Sequence, residues 1–149
     1  MKLILTTIII CLNLNSIIFT QDNRYTKGAD NGYAWISLSQ PTNKLTDYKQ
    51  NYLASLLENQ KIKKMSGVKI FPLFDCNEDV LRIDISKKTF GLDIVVKMID
   101  NFYSSDNNLV IPVLGAYCYC IKELAGVDSR GLEKYRLELL NYSTEQSEQ

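Results

Sequence analysis

The apolar positions of the chain change rhythm several times, and each change marks an element. Leu3 to Leu12 is an apolar run broken only by Thr6 and Thr7, and Leu14, Ile17, Ile18 and Phe19 prolong it. Asp22 to Asn31 is polar and predicts a loose segment. Gly32 to Leu38 carries Tyr33, Trp35, Ile36 and Leu38, which predicts a short helix docking its aromatics and ended by Pro41. Ser39 or Thr42 can cap the next helix. From Asn43, Leu45, Tyr48, Tyr52, Leu53, Leu56 and Leu57 recur at three- and four-residue spacing, the signature of an amphipathic helix. It runs to about Asn59, or to Met65, where Ser66-Gly67 stops it. The lysines at its end, Lys61, Lys63 and Lys64, complement the helix dipole.

Val68 to Phe74 contains Pro72 and lacks helical spacing, whereas Val80 to Ile85 alternates. Residues 68–85 therefore read as an irregular or short β-hairpin connector. The second half returns to helical rhythm. Ser86 or Thr89 caps a helix with the stripe Leu92, Val95, Val96, Met98, Ile99, Phe102 and Tyr103. Ser104 to Asn108 is a polar turn, and Pro112 suits the first turn of a helix burying Val113, Tyr117, Ile121 and Leu124 and stopping at Gly126. Asp128 or Ser129 caps a last helix with Leu132, Tyr135, Leu139 and Tyr142 in register, and the polar tail from about Ser143 frays. The predicted fold is a mainly α, small bundle of four to five helices.

The N-terminal run has the form of a targeting segment: Lys2, an apolar stretch, then Thr20, Gln21 and Asp22. Residues 1–21 read as a signal peptide cleaved near residues 20–21, leaving 22–149 as a single helical domain that is secreted or periplasmic. The alternative is an N-terminal membrane anchor; Leu3 to Phe19 is only 17 residues, at the short end of what spans a bilayer. No second such segment follows, so the mature domain is not expected to be membrane-embedded. Three cysteines remain, Cys76, Cys118 and Cys120, an odd number that allows one bridge from Cys76 to either of the later pair.

Composition restricts the chemistry. The 149 residues hold 17 basic and 17 acidic side chains and no histidine. The balanced charge argues against a nucleic-acid partner, which requires a clustered basic face. The missing histidine removes the commonest general base and metal ligand. Asp75 to Asp79 imitates the start of a calcium loop, but the positions for glycine and the bidentate glutamate hold Val80 and Ser86. Ser66-Gly67-Val68-Lys69 and Ser105-Asp106-Asn107 match two motifs of penicillin-recognising enzymes without the third, in a chain too short for that scaffold. On a helical wheel Cys118 and Cys120 lie at opposite borders of the apolar stripe, which suits burial or one disulfide better than a shared metal. No cofactor is implied. Asp93, Asp100 and Asp106 fall on a wet face or in a turn. Tyr33, Trp35, Tyr48, Tyr52, Tyr103 and Tyr117 fit the core stripes; Tyr25 and Tyr119 do not, and are candidates for an exposed contact. Asn141-Tyr142-Ser143 is a glycosylation sequon taken as accidental.

The stretch Phe102 to Gly126, FYSSDNNLVIPVLGAYCYCIKELAG, resembles a family of small secreted bacterial helical proteins of unassigned function. Trp35-Ile36-Ser37-Leu38 with Lys44, Tyr48 and Tyr52 is similar to the first half of the same family. More distantly, the layout is similar to periplasmic immunity proteins that neutralise toxins of the type VI secretion system. Those proteins hold a disulfide from the first long helix to the cysteine before the central loop. Cys76 stands at the second of these positions, and the first long helix here has no cysteine. The resemblance implies a non-catalytic protein-binding module, immunity-like or envelope-associated, whose partner is another protein, with a homodimer as one form. Trp35, Tyr103, Asp106, Asn108 and Tyr119 are the candidate binding residues. The alternative is an enzyme or small-ligand carrier with a carboxylate and tyrosine cleft near Trp35, Tyr103 and Asp106.

Overall fold

A computed structural model of the chain describes residues 23–38, 45–76 and 91–145. The expected signal peptide, the caps at Ser39, Thr42, Ser86 or Thr89, and the alternating segment 80–85 lie outside the described residues. The structure is mainly helical, with five helices among the described residues, as the apolar pattern predicts.

The first element departs from expectation. Instead of a loose segment, β1 (Tyr25–Thr26) pairs antiparallel with β2 (Ala29–Asp30). Lys27 (φ 49°) and Gly28 (φ 78°) form the two-residue turn between them, and two positive φ values in succession are what a tight hairpin needs. Asn31 locks this hairpin to the next element. Its side-chain amide donates to the Asn23 carbonyl (2.7 Å) and to Thr26 Oγ1 (3.0 Å). Its side-chain oxygen accepts from the backbone N–H of Tyr33 and Ala34, capping α1 (Gly32–Ser37). The described part of the connector, residues 68–76, is irregular with a 3₁₀ turn at Pro72–Phe74, and the rest of it lies outside the described residues.

The long helix α2 (Leu45–Met65) ends in a Schellman motif. Gly67 N–H bonds the Lys64 carbonyl and Val68 N–H bonds the Lys63 carbonyl, at 3.1 and 3.0 Å. Next come α3 (Leu92–Phe102), a 3₁₀ turn at Asp106–Asn108, α4 (Val113–Leu124) and α5 (Ser129–Thr144). Asp128 caps α5 by accepting from Gly131 N–H (2.7 Å). Pro112 stands at the N-cap of α4, one residue before the expected first turn. Ser143 lies inside α5 rather than in a frayed tail.

In space the helices follow the order α2, α3, α4, α5, with the Pro72–Phe74 turn also against α4. The central position of α4 decides its burial. A helix covered on one side shows one apolar stripe, but α4 is covered on several. Val113 through Cys118, Cys120 and Ile121 are all buried. The Cys76–Cys118 disulfide ties the end of the 3₁₀ segment to this helix, and Cys120 stays a buried free thiol. Trp35, Leu53, Val95, Ile99, Ile111 and Leu139 complete the centre of the core. Tyr33 and Tyr48, expected inside, are 39% and 56% exposed. The helix α1 is too short for its sequence to fix a face, and Trp35 takes the inward position.

Candidate functional site

Three elements converge on Trp35. Its indole N–H donates to Asp100 Oδ1 on α3 at 2.7 Å. Lys49 of α2 donates to the same oxygen at 2.6 Å, and its ammonium lies 5.1 Å from the centre of the Trp35 ring. One turn later on α2, Tyr52 packs edge-on against Trp35 with ring centroids 6.1 Å apart. The Tyr52 hydroxyl donates to Asp30 Oδ2 at 2.6 Å, which joins the hairpin to the same network. Burial, then the hydrogen bond to Asp30, hold the Tyr52 pKa well above the usual phenol range. Asp100 lies on the exposed side of α3, as expected, and is also the acceptor that ties α1, α2 and α3 together. Lys49 and Asp100 escape the pattern of apolar positions, because their pairing spans 51 residues of sequence.

The other expected binding residues go to different places. Tyr103 is 3% exposed and donates to the Ile111 carbonyl at 2.8 Å. Burial raises its pKa well above normal. Asn108 is also buried; its amide donates to the Phe102 carbonyl (2.7 Å), and its oxygen accepts from Arg136 Nη1 (3.1 Å). Arg136 also holds Glu133 through two hydrogen bonds of 2.8 and 2.6 Å, keeping that carboxyl below its usual pKa. Tyr119 is half-buried, 4.8 Å from the Phe102 ring, and feels the charges of Glu133 and Arg136. Asp106 lies exposed in its 3₁₀ turn. The structure thus brings Asn108 and Tyr119 to one corner around Arg136. Trp35 and Tyr103 are interior residues, and Asp106 stands apart from both.

Depressions mark the surface among the described residues. One of about 370 Å³ has Asp30, Tyr52, Gln60 and Lys63 as its polar lining and Leu56, Phe74 and Leu114 as its apolar lining. A carboxylate and a tyrosine do line a cleft, but they are Asp30 and Tyr52. Gln60 Oε1 is buried there without a hydrogen-bond partner among the described residues. A second depression of about 340 Å³ is flanked by Tyr25 and Tyr33 with Asn23 and Lys27. A third, open and about 630 Å³, runs from the end of α2 along Lys64, Val68, Lys69 and Asp75.

Of the three described cysteines, Cys76 and Cys118 form the disulfide, and burial pushes the Cys120 thiol up to about 12. Among the described residues no cluster of three histidine, cysteine, aspartate or glutamate residues could hold a metal ion. Comparison of the chain with family models, with curated proteins and with solved structures finds no match.

Proposed function

We propose that the chain is an exported, non-catalytic module that binds another protein, in an immunity-like or envelope-associated role. One observation carries this reading: the side chains with chemical potential around Trp35 and Tyr103 are engaged with partners in the molecule itself, while large aromatic ones face solvent. Trp35 and Lys49 donate to Asp100, Tyr52 donates to Asp30 and packs on Trp35, Tyr103 bonds the Ile111 carbonyl, and Cys120 is held protonated by burial. Tyr25 and Tyr33, by contrast, are 53% and 39% exposed beside one shallow depression, with Ile36 exposed one turn beyond Tyr33. Tyrosine supplies contact area with few rotatable bonds and a hydroxyl that stays wet at a rim, and it is enriched at protein interfaces. The test is affinity purification of the chain from Asp22 onward out of the envelope fraction of its native host. A saturable protein partner lost on Tyr25→Ala with Tyr33→Ala is expected. A partner unaffected by that double change, or none at all, refutes the reading. Protection of cells against a co-expressed secreted toxin is the outcome specific to the immunity form.

A second reading, a small-ligand carrier, is favoured by the Asp30 and Tyr52 cleft with its unpartnered Gln60 oxygen. Such a carrier would show a rise in melting temperature with a ligand that donates to Gln60, lost in Gln60→Leu.

A further inference from the structure

From Asn59 to Phe74 the chain carries four lysines, Lys61, Lys63, Lys64 and Lys69, and no acidic residue. The same stretch holds Ile62, Met65, Val68 and Phe71 at 51%, 79%, 52% and 49% exposure. The Schellman turn that ends α2 makes these residues neighbours. The bond from Val68 N–H to the Lys63 carbonyl folds the chain back over the last helical turn, where Val68 and Lys69 line the open depression beside Lys64 and Asp75. Met65, the last residue of α2, is left as the most exposed of the large apolar side chains. Among the described residues Lys64 alone of the four lysines has a carboxylate partner, Asp75 at 2.5 Å. The result is a cationic surface with apolar side chains protruding from it.

The combination discriminates between partners. Protein interfaces are enriched in methionine, arginine and aromatic residues and depleted in lysine, so it is the four lysines that argue against a protein partner here. Segments that lie in a bilayer interface combine apolar side chains with lysines, whose alkyl stems cover apolar surface while the ammonium reaches the headgroups. A fluid interface also needs no shaped pocket to receive Met65 and Val68. We propose that the C-terminal turn of α2 and the segment through Phe71 form a docking tip for anionic lipid bilayers. Met65, Val68 and Ile62 enter the headgroup boundary, and Lys61, Lys63 and Lys69 meet the lipid phosphates. Such a contact is peripheral, and among the described residues no helix is long and apolar enough to cross a membrane. The tip does not depend on the protein-binding reading.

The test is co-sedimentation of the chain from Asp22 onward, which contains every contact described above, with phosphatidylglycerol-containing vesicles and with pure phosphatidylcholine vesicles. Binding to the anionic vesicles alone is expected, weakening in about 0.5 M salt, where screening shortens the reach of surface charge to a few ångströms. Each lysine near an anionic surface is worth roughly fivefold in partitioning, so Lys61→Glu with Lys69→Glu lowers it by about twentyfold or more. Met65→Asp lowers it by about tenfold, the effect of withdrawing one apolar side chain from the boundary. Lys97→Glu on α3, with half that change in charge, is the control away from the tip and leaves partitioning within about twofold if the tip is the contact. Unfolding curves that match the parent confirm that these exposed substitutions leave the fold intact. Equal binding to both vesicle types, or equal loss with Lys97→Glu, overturns the proposal. So does absence of vesicle binding while the tip variants abolish capture of an acidic protein, an outcome that assigns the surface to a protein instead. Vesicle binding without any protein partner would leave the tip standing and defeat the binding-module reading.

Discussion

Removing either member of the Lys49–Asp100 pair breaks the same 2.6 Å contact, yet the two changes should differ severalfold in cost. The Lys49 side chain is 7% exposed and that of Asp100 is 44% exposed. Asp100→Ala leaves an ammonium buried without a counter-charge and removes the acceptor of the Trp35 indole. Breaking a buried pair from one side costs about 3–5 kcal/mol, most of it the penalty of the stranded charge. An orphaned indole donor alone costs about 1–3 kcal/mol. Water reaches the vacated Asp100 position, so we expect a total near the lower end, about 3–4 kcal/mol. Lys49→Met keeps the stem volume against Trp35 and leaves Asp100 half-solvated and still bonded to the indole. It should cost about 1 kcal/mol or less, as for pairs with one partner in water.

The double variant separates the terms. With Lys49 already replaced, Asp100→Ala removes only the indole acceptor, about 1–2 kcal/mol, so the double change costs roughly 2 kcal/mol less than the sum of the singles. Urea unfolding is the assay, followed by the fluorescence of Trp35, the single tryptophan of the chain, which sits on the pair itself. Equal m-values would show that only native stability has changed. Equal costs for the two single variants, or additivity within about 0.3 kcal/mol, would refute the view that Lys49 is a buried charge held by Asp100.

The Cys76–Cys118 bridge spans 42 residues, and loop closure of that length predicts a loss of about 4 kcal/mol on reduction. Urea curves with and without a phosphine reductant measure it, and a loss below about 1 kcal/mol would contradict the loop-entropy account. Cys120 should resist thiol reagents in the folded chain and react only on unfolding; fast labelling of the native protein would disprove its burial. Its thiol ionises near 9 when unconstrained and near about 12 when folded, so the unfolded chain loses the proton first. Its contribution to stability is therefore complete below pH 9 and lost as pH rises toward 12. Melting temperature against pH should fall less steeply in Cys120→Ala over that interval, and an unchanged slope would exclude the thiol as a cause. Gly32→Ala should destabilise by about 1–3 kcal/mol through overpacking. A β-carbon there would sit 2.6 Å from Tyr103 Cδ1 and 2.8 Å from the Leu109 backbone. An unshifted urea midpoint would show that this crossing is looser than described.

How much of this was legible in the sequence depended on the length of each element and on how many sides it has covered. The helices α2, α3 and α5 announce themselves because each repeats an apolar spacing over several turns. The hairpin Tyr25–Asp30 does not, since strands of two residues offer no alternation to read. In α1, six residues leave Tyr33 and Trp35 equally eligible for the core, and only the acceptor on Asp100 selects Trp35. The stripe of α4 was readable, but its full burial comes from neighbours on several sides, which periodicity within one helix cannot report. The candidate residues failed to converge for the same reason. Trp35, Tyr103 and Asn108, conspicuous in sequence, are each buried and hydrogen-bonded to other parts of the chain.

The lysines carry this lesson to function. By composition Lys49 and Lys61, Lys63, Lys64 and Lys69 are alike, and helical periodicity assigns all of those on α2 to a solvated face. Tertiary structure separates them. Lys49 meets Asp100 and Trp35 and becomes part of the core, where its charge specifies how α2 sits on α3. The other four lie between Glu58 and Asp75, in a stretch that contributes apolar side chains to the surface instead of carboxylates. A solvated face that served only solubility would interleave both signs of charge and keep Met65 and Phe71 inside. Exposed apolar side chains cost solubility, and lysines that repel one another add to that cost unless a negative surface takes them up. The balanced net charge of the whole chain conceals this local excess of lysine over carboxylate between Glu58 and Asp75.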